Sequence, residues 1–302
     1  MKAGRPGTRA NVKRRQLYRR VTIIVVVVAI LALLIGGFYY AYIMSNALER
    51  YDLKPVTPPD LVTLKQLSSP PYGPPSALMI SAVKTISGTP YTSGGRPVVV
   101  YIGADYCMYC AAQRWSIVMT LLRFGNISGL EYMSSSPAEG DLPTFTFQSA
   151  HYASRFIVFQ GFEQEDRNNQ PLQTVPSNYT GVFSNYGSAY PFLNFGDKYV
   201  ISGALWAPSS LENDNWTSVY TAIGSNTTLG NQIKAGANVM TALVCRLTNN
   251  QPASVCDEPP ISSITLSVSY LQPLPPGSAL LMGVPADYIQ RWGTPPHGVR
   301  QE

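Results

Sequence analysis

An uninterrupted apolar run near the N-terminus is the feature that most restricts how this chain can fold. Residues 21–43 carry no charged side chain. At about 1.5 Å of rise per residue, a helix of this length spans a hydrocarbon core of roughly 30 Å. Eight Lys and Arg residues precede the run, and Tyr39, Tyr40 and Tyr42 lie at its far end, where aromatic side chains favour the interface. The sequence therefore predicts a basic cytoplasmic segment at 1–20, a single transmembrane helix at 21–43, and an extracytoplasmic remainder.

A cleaved signal peptide is the competing interpretation of the same segment. The apolar region of a signal peptide is about 7–15 residues long, which is shorter than this run, and Ser45-Asn46-Ala47 is a weak cleavage site. Length and flanking charge favour an uncleaved anchor, so the predicted location is the cell membrane. Four Asn-x-Ser/Thr sequons give weak support for export: Asn126, Asn178, Asn215 and Asn226.

The charge distribution argues against a nucleic-acid-binding protein. The formal charge of +5 is concentrated in the first 50 residues, which hold nine Lys and Arg and one acidic residue, Glu49. The remaining chain holds 13 basic and 16 acidic side chains and shows no basic patch. With 13% charged and 45% hydrophobic residues, the chain has the composition of a globular protein rather than of a disordered segment or a coiled coil.

Changes in composition divide the exported part of the chain into three segments. Residues 44–92 are rich in proline and predict a linker with little regular structure. Residues 93–260 predict one domain. Residues 261–302 predict a C-terminal extension with a strand-like segment at 264–270.

Two hairpins are predicted within the domain from aromatic and β-branched residues. The first pairs residues 144–148 with 155–161 and is interpreted as an insertion into the fold. The second covers residues 191–200, with a turn at Gly196-Asp197.

A strand, two cysteines and a helix follow one another in the most informative part of the domain. Residues 97–103 form a β-branched run without polar alternation, which is typical of a central strand buried on both faces. Cys107 and Cys110 come next, and residues 111–124 have helical apolar spacing. Backbone N–H groups at a helix N-terminus stabilise an anion, so we expect Cys107 to be an exposed thiol with a lowered pKa. Cys110, about one turn further on, would then resolve a mixed disulfide by attacking it.

Two side chains beside this pair are predicted to modulate it. Asp105 precedes the first cysteine by two residues, where it either opposes thiolate formation or shuttles a proton. Tyr109 lies between the cysteines and can shield Cys110. Two other interpretations of the pair stay open, namely half of a zinc site and an inert structural disulfide.

The remaining cysteines argue against zinc and predict a second disulfide. A structural zinc site needs four ligands, whereas Cys245 and Cys256 are separated by ten residues and the histidines are His151 and His297. We therefore predict no metal. A disulfide between Cys245 and Cys256 would close a short loop and contribute roughly 3 kcal/mol. The functional alternative is a relay pair that passes electrons to the first two cysteines.

The region around the cysteine pair resembles the thioredoxin superfamily. It reads Ile-Gly-Ala-Asp-Tyr-Cys-Met-Tyr-Cys-Ala-Ala over residues 102–112 and continues with Arg114-Trp115. Over about residues 85–260 the chain looks more closely like an uncharacterised, archaeal-type family of membrane-anchored thioredoxin-like proteins. The resemblance implies an α/β fold with a thioredoxin-like central mixed sheet flanked by helices, here with the inserted β-hairpin and preceded by the transmembrane helix. Met108-Tyr109 matches neither the thioredoxin nor the glutaredoxin pattern in full, which leaves the direction of electron flow open.

The resemblance also implies a cis-proline opposite the cysteine pair that helps to dock the substrate. Pro191, preceded by Tyr190, matches that place because a predicted hairpin follows it. Pro143, before another strand-like segment, is the alternative.

The expected function is that of a membrane-anchored thiol–disulfide oxidoreductase that forms, reduces or isomerises disulfides. No organic cofactor is predicted, because the dithiol is itself the redox group. The expected partners are exported proteins with thiols or disulfides, together with an integral membrane redox protein. The alternative is a surface protein that uses the fold for binding, with both cysteine pairs as structural disulfides.

Overall fold

The apolar N-terminal run forms one long helix in the computed structural model. The structure describes residues 7–45, 48–69, 75–186 and 189–274. Helix α1 (Gly7–Ser45) lies in the first of two units, Met1–Arg50. An 18-residue stretch within Arg14–Tyr40 has a mean hydropathy of 3.1, and none of its residues is buried. The length and composition of this helix suit a membrane span or a signal sequence.

The second unit, Tyr51–Glu302, is a mixed α/β structure. Its helices are α2 (Pro58–Leu67), α3 (Ala77–Ser81), α4 (Met108–Phe124), α5 (Ser177–Tyr186), α6 (Trp216–Gly224), α7 (Thr228–Leu247), α8 (Ala253–Cys256) and α9 (Ile261–Ser269). Its strands are β1 (Lys84–Ile86), β2 (Thr92–Ser93), β3 (Arg96–Gly103), β4 (Asn126–Ser128), β5 (Glu131–Ser134), β6 (Pro143–Thr146), β7 (His151–Ala153), β8 (Val158–Glu163), β9 (Phe192–Phe195), β10 (Tyr199–Ser202) and β11 (Pro273–Leu274).

Strand β3 lies at the centre of the main sheet. It pairs in parallel with β8, where Val100 lies opposite Gln160, and antiparallel with β9, where Val100 lies opposite Asn194. The sheet continues from β9 through β10 and β1 to β11, and β2 pairs with the start of β3. Residues 98–102 are at most 3% exposed. The prediction of a central strand buried on both faces is therefore confirmed.

Helices cover both faces of this mixed sheet. Because side chains alternate along a strand, Val100 and Ile102 point to the same face, where they pack with Tyr179 of α5. Tyr101 points to the other face, and its ring centroid lies 5.7 Å from the guanidinium carbon of Arg114 in α4. The expected central sheet flanked by helices is present.

Helix α4 is enclosed by the elements around it. Its Trp115 Nε1 donates a hydrogen bond to the Pro143 carbonyl at 2.8 Å, and its Ser116 Oγ donates to the Ile233 carbonyl of α7 at 2.8 Å. A β-carbon on Gly236 of α7 would lie 2.7 Å from that Oγ, so the two helices approach closely where a glycine allows it. This packing fixes α4 relative to β6 and α7.

The first predicted hairpin, between residues 144–148 and 155–161, is wrong. Strand β6 pairs with β5, where Phe145 lies opposite Tyr132, whereas β8 joins the central sheet parallel to β3. Strand β7 lies between them in sequence and pairs with β4. Aromatic and β-branched composition identifies such strands but does not specify which partner each will find.

The second predicted hairpin is confirmed. Strands β9 and β10 pair antiparallel, with Phe195 opposite Tyr199. The turn residues Gly196 and Asp197 have φ values of 60° and 57°. Glycine adopts this left-handed conformation without steric cost, and aspartate tolerates it.

The segment 44–92, predicted as a linker, contributes helices and strands to the second unit. Thr57 caps α2 by accepting a hydrogen bond from the Asp60 N–H, and α2 begins at Pro58, so the Thr-Pro-Pro-Asp sequence starts a helix. Leu64 of α2 is fully buried. Strand β1 joins the central sheet. Residues 70–74 of this segment, which include Pro70, Pro71 and Pro74, lie outside the described residues.

The predicted strand-like segment at 264–270 is helical, so that prediction is wrong: residues 264–269 belong to helix α9 and Tyr270 is its C-cap. The buried residues of α9 follow helical spacing: Ile261, Ile264, Thr265 and Val268. This face contacts α7. The β-branched composition of α9 favours a strand. Its apolar residues recur at the helical period of about 3.6 residues, however, so a helix buries them all on one face. The rest of the predicted C-terminal extension, from residue 275, lies outside the described residues.

Candidate active site

Both cysteines of the CxxC sequence lie at the start of helix α4. Cys107 is the N-cap residue, with extended backbone angles of −76° and 124°, and its Sγ accepts a hydrogen bond from the Cys110 N–H at 3.3 Å. The Ala111 N–H donates to the Cys107 carbonyl at 2.9 Å, which begins the helical pattern. Both cysteines are free thiols in this structure. The strand–cysteine–helix arrangement expected from the sequence is present.

The expectation of an exposed Cys107 with a lowered pKa is wrong for this conformation. Cys107 is 6% exposed and Cys110 is fully buried. Burial raises the pKa of the Cys107 thiol well above its usual value, and the hydrogen bond to the Cys110 side chain, the Cys110 charge and the Glu139 charge raise it further. The backbone N–H of Cys110 lowers it. Desolvation therefore outweighs the stabilisation that the helix N-terminus offers a thiolate.

Three tyrosines form a cover over the two cysteines, and we call them the tyrosine cover: Tyr106, Tyr109 and Tyr190. The Tyr190 hydroxyl donates a hydrogen bond to Gln164 Oε1 at 3.0 Å. Its ring stacks on Phe183 of α5 with a centroid distance of 6.1 Å. These contacts hold the cover against the domain and account for the burial of the thiols.

Pro191 follows the cover directly and leads into β9. The Tyr190–Pro191 peptide bond is cis, and the Pro191 carbonyl accepts a hydrogen bond from the Gly203 N–H at 2.7 Å. Pro143, the alternative candidate, lies at the start of β6, where its carbonyl accepts the hydrogen bond from the Trp115 indole. Of the two, Pro191 adjoins a residue that packs on the cysteines.

A buried ionic cluster lies beside the cysteines: Arg114, Glu163 and Asp105. Arg114 Nη2 lies 2.6 Å from Glu163 Oε2, Arg114 Nε lies 3.0 Å from Glu163 Oε1, and Arg114 Nη2 lies 3.3 Å from Asp105 Oδ1. All three side chains are fully buried. Burial lowers the pKa of Arg114, but the charges of Glu163, Tyr101, Asp105 and Cys110 together outweigh burial and raise this pKa well above its ordinary value.

Asp105, predicted as a modulator of Cys107, belongs to this cluster. Its carboxylate accepts a hydrogen bond from the Gln148 side chain and faces Arg114. Burial and the Glu163 charge raise the pKa of Asp105 to about 7, although Arg114 and the hydrogen bonds from Thr146 and Gln148 lower it. Asp105 therefore changes protonation state near neutral pH, within the ionic cluster.

Tyr101 connects the ionic cluster with Cys110. Its hydroxyl donates to Glu163 Oε2 at 3.4 Å and also forms a hydrogen bond with the Cys110 side chain. A β-carbon on Gly103 would lie 2.1 Å from this hydroxyl and 3.0 Å from Cys110 Sγ. Only glycine leaves room for the contact between the two groups.

Sequence reasoning missed Tyr101, Arg114 and Glu163 as members of the site. Arg114 carries a local signal, because it follows Cys110 by four residues and therefore shares its face of the helix. Glu163 carries none, since it reaches the cluster from the end of β8 through the parallel pairing with β3.

The second cysteine pair forms a disulfide away from the start of α4. Cys245, near the end of α7, is bonded to Cys256 at the end of α8, with the α-carbons 5.6 Å apart. Within the described residues, no group of three or more His, Cys, Asp or Glu side chains could hold a metal ion. His151 is exposed on β7, and His297 lies outside the described residues.

The region that contains the cysteines matches a known protein family. No curated protein and no solved structure matches the chain. Residues 82–246 match the family described as a domain of unknown function (DUF929). This segment spans more than half of the chain and includes the cysteine pair, the tyrosine cover and the ionic cluster, so the protein belongs to that family.

Proposed function

We propose that this protein is a membrane-anchored thiol–disulfide oxidoreductase whose redox group is the Cys107–Cys110 dithiol. The observation that carries the proposal is the first turn of α4, where Cys107 caps the helix and accepts a hydrogen bond from the Cys110 N–H at 3.3 Å. Two thiols at this spacing can close a disulfide, and the first lies where backbone N–H groups stabilise an anion.

The path of the chain supports a thioredoxin-like assignment for this unit. The chain runs from β3 through α4 and the short strands β4–β7 to β8, then through α5 to β9, β10 and, after α6, α7. Strands β3 and β8 are parallel, whereas β9 lies antiparallel to β3 and to β10. The cysteines follow the central strand directly, as the sequence resemblance implies.

The exchange proceeds in two steps. The Cys107 thiolate attacks one sulfur of a substrate disulfide, forms a mixed disulfide, and releases the other substrate sulfur as a thiolate that takes up a proton. The Cys110 thiolate then attacks the Cys107 sulfur, which closes the internal disulfide and releases the second substrate thiol. Two electrons and two protons pass from the dithiol to the substrate. The reverse sequence oxidises a substrate dithiol.

The ionic cluster supports the second step because Cys110 has to ionise while fully buried. The Arg114 guanidinium lies close enough for its charge to interact with that of Cys110. Arg114 Nη1 is buried and has no hydrogen-bond partner among the described residues, so one donor of this guanidinium is unused. The Tyr101 hydroxyl also hydrogen-bonds with Cys110, and it can stabilise a Cys110 thiolate by turning its single proton from Glu163 to the sulfur.

Substrate access requires the tyrosine cover to part. Tyr190 and Pro191 border the cysteines and are the proposed docking residues, and Tyr109 shields Cys110. The proposed substrates are exported proteins with thiols or disulfides. An integral membrane redox protein is the proposed electron partner. The basic residues that precede the apolar run favour a cytoplasmic N-terminus by the positive-inside rule, and we propose on that basis that the dithiol acts outside the cytoplasm.

The direct test uses the full-length Cys110→Ser protein, in which a mixed disulfide cannot be resolved. We expect bis(2-hydroxyethyl) disulfide to leave one mercaptoethanol adduct, which peptide mass spectrometry locates on Cys107. The matched Cys107→Ser protein should react much more slowly, because Cys110 is fully buried. Absence of an adduct on Cys107 under native conditions, or equal modification of the two cysteines, would refute the assignment.

Burial of both thiols favours a second candidate, a surface protein that binds partners without redox turnover. In this case both cysteine pairs are structural, and the Cys107–Cys110 pair should have a reduction potential below about −300 mV. A catalytic pair should be more easily reduced than that.

A further inference from the structure

We propose that Glu139 restrains Cys107 by occupying the first backbone N–H of helix α4. This proposal rests on the proposed function, because it names the residue that sets how readily Cys107 enters the exchange. Glu139 is a positioning residue that acts through the helix N-terminus.

The geometry of the helix start carries the proposal. The N–H of Met108, the first residue of α4, donates to Glu139 Oε2 at 3.4 Å. The N–H of Cys110 donates to Cys107 Sγ at 3.3 Å. A carboxylate from another element and the thiol therefore share the N–H groups of one helix end. When Cys107 ionises, two anions compete for the same partial positive charge.

The loop that carries Glu139 is held firmly against the site. Glu139 ends a short 3-10 helix, Pro137–Glu139, between β5 and β6. The Ser136 N–H donates to the Tyr106 carbonyl at 2.9 Å, which joins this loop to the residues before α4. Arg167 Nη2 lies 2.6 Å from Asp141 Oδ1 at the end of the loop. The carboxylate thus reaches Met108 from a fixed support.

Other ionisable groups surround Cys107 and Glu139, and the effect of Glu139 has to be separated from theirs. They are Cys110 and Tyr109 of α4, Asp105 and Tyr106 before it, Arg114 in its second turn, Glu163 and Glu165 at and after the end of β8, and Tyr190 before β9. Arg114 is paired with Glu163. Glu165 acts on the hydroxyls of Tyr106 and Tyr190 in the cover, whereas Glu139 acts on Cys107 itself.

Removal of the Glu139 charge should therefore activate Cys107. A negative charge a few ångströms from a poorly solvated thiolate changes its ionisation constant by about three- to tenfold. In a disulfide Cys107 carries no charge, so the repulsion disappears and Glu139 favours the oxidised form over the thiolate. A contact that draws Glu139 away from Met108 would have the same activating effect as its removal.

The test measures alkylation of Cys107 in the full-length Cys110→Ser protein with and without Glu139→Gln. The rate with neutral iodoacetamide is followed from pH 6 to 10. We expect the rate at pH 7 to rise about three- to tenfold in the Glu139→Gln protein, and by a similar factor at each pH at which Cys107 is still mostly protonated. A charged reagent separates loss of the Glu139 charge from easier access, because a purely structural loosening would raise the rates of neutral and anionic reagents by the same factor.

Two matched variants and a second reagent complete the experiment. Glu258→Gln makes the same chemical change at an exposed site after α8 and should leave the profile unchanged. Glu165→Gln removes a charge near the cover and should have a smaller effect than Glu139→Gln. Anionic iodoacetate should gain more from Glu139→Gln than iodoacetamide does, since the lost charge repels it.

Identical pH profiles for Glu139→Gln and Glu258→Gln would overturn the proposal, as would equal gains with iodoacetamide and iodoacetate in the Glu139→Gln protein. Alkylation needs no disulfide substrate, so this outcome is separate from failure of the proposed exchange, which the mixed-disulfide experiment detects.

Discussion

Replacing Arg114 with methionine is expected to destabilise the protein strongly. The side chain is fully buried and holds Glu163 through contacts of 2.6 and 3.0 Å, with Asp105 at 3.3 Å. Methionine has a similar length but no charge, so the variant leaves a buried carboxylate without compensation. Breaking a buried ion pair in this way costs about 3–5 kcal/mol.

The assay is urea unfolding of the full-length protein in detergent at pH 7, followed by the fluorescence of the buried Trp115 and Trp216. The measured quantity is the free energy of unfolding. Arg155→Met, at an exposed position before β8, is the matched control and should change it by no more than about 0.5 kcal/mol. A loss of less than about 1 kcal/mol in Arg114→Met would contradict the role given to the pair.

The double variant Arg114→Met/Glu163→Gln separates loss of charge compensation from loss of packing. If the penalty comes from an uncompensated carboxylate, neutralising Glu163 should restore part of the lost stability. Losses that simply add in the double variant would mean that the two residues do not act as a pair.

Three further changes test the surroundings of the site. The folded-state pKa of Asp105 is raised to about 7, so its ionisation should lower the free energy of unfolding as pH rises from about 4 to 7. Asp105→Asn should make the free energy of unfolding depend less on pH, which urea unfolding at several pH values will measure. Gly103→Ala should lower the free energy of unfolding by about 1–3 kcal/mol, because a β-carbon there would lie 2.1 Å from the Tyr101 hydroxyl oxygen. Gly181→Ala in helix α5 is the control and should not lower it, because no atom lies within 4 Å of a β-carbon there. Replacing Cys245 and Cys256 together with alanine should lower the free energy of unfolding by about 3 kcal/mol without preventing adduct formation at the dithiol.

Local signals in the sequence sufficed for the centre of the fold. The β-branched run identified β3, the cysteine spacing and the apolar stripe identified the start of α4, and Gly196-Asp197 identified the turn between β9 and β10. Each of these features depends on residues close in sequence, through backbone preferences or through the alternation of buried faces.

Features that depend on distant residues could not be predicted in the same way. Cys107 is buried because Tyr190, far along the chain, packs over it. The Arg114–Glu163 pair exists only because β8 lies parallel to β3, and nothing near Glu163 in sequence specifies this partner. Glu139 reaches Met108 from a loop whose position depends on the β5–β6 pairing.

Two predictions were wrong for a different reason. Local signals were present in the sequence, but each of them fits a helix as well as the extended structure that was predicted. The proline pair after Thr57 suggested an extended linker, although threonine before proline also starts helices, as it does in α2. The β-branched residues of α9 suggested a strand, although their spacing buries one helical face.

The measurement that tests the central claim most directly is a redox titration of the full-length protein in which both cysteine pairs are followed by differential alkylation and mass spectrometry. Cys245–Cys256 serves as an internal structural reference, with an expected potential below about −300 mV. We predict that Cys107 and Cys110 form a disulfide that is reduced at a clearly higher potential. If this pair forms no disulfide, or is reduced only together with the reference pair, the protein is not an oxidoreductase of the proposed kind.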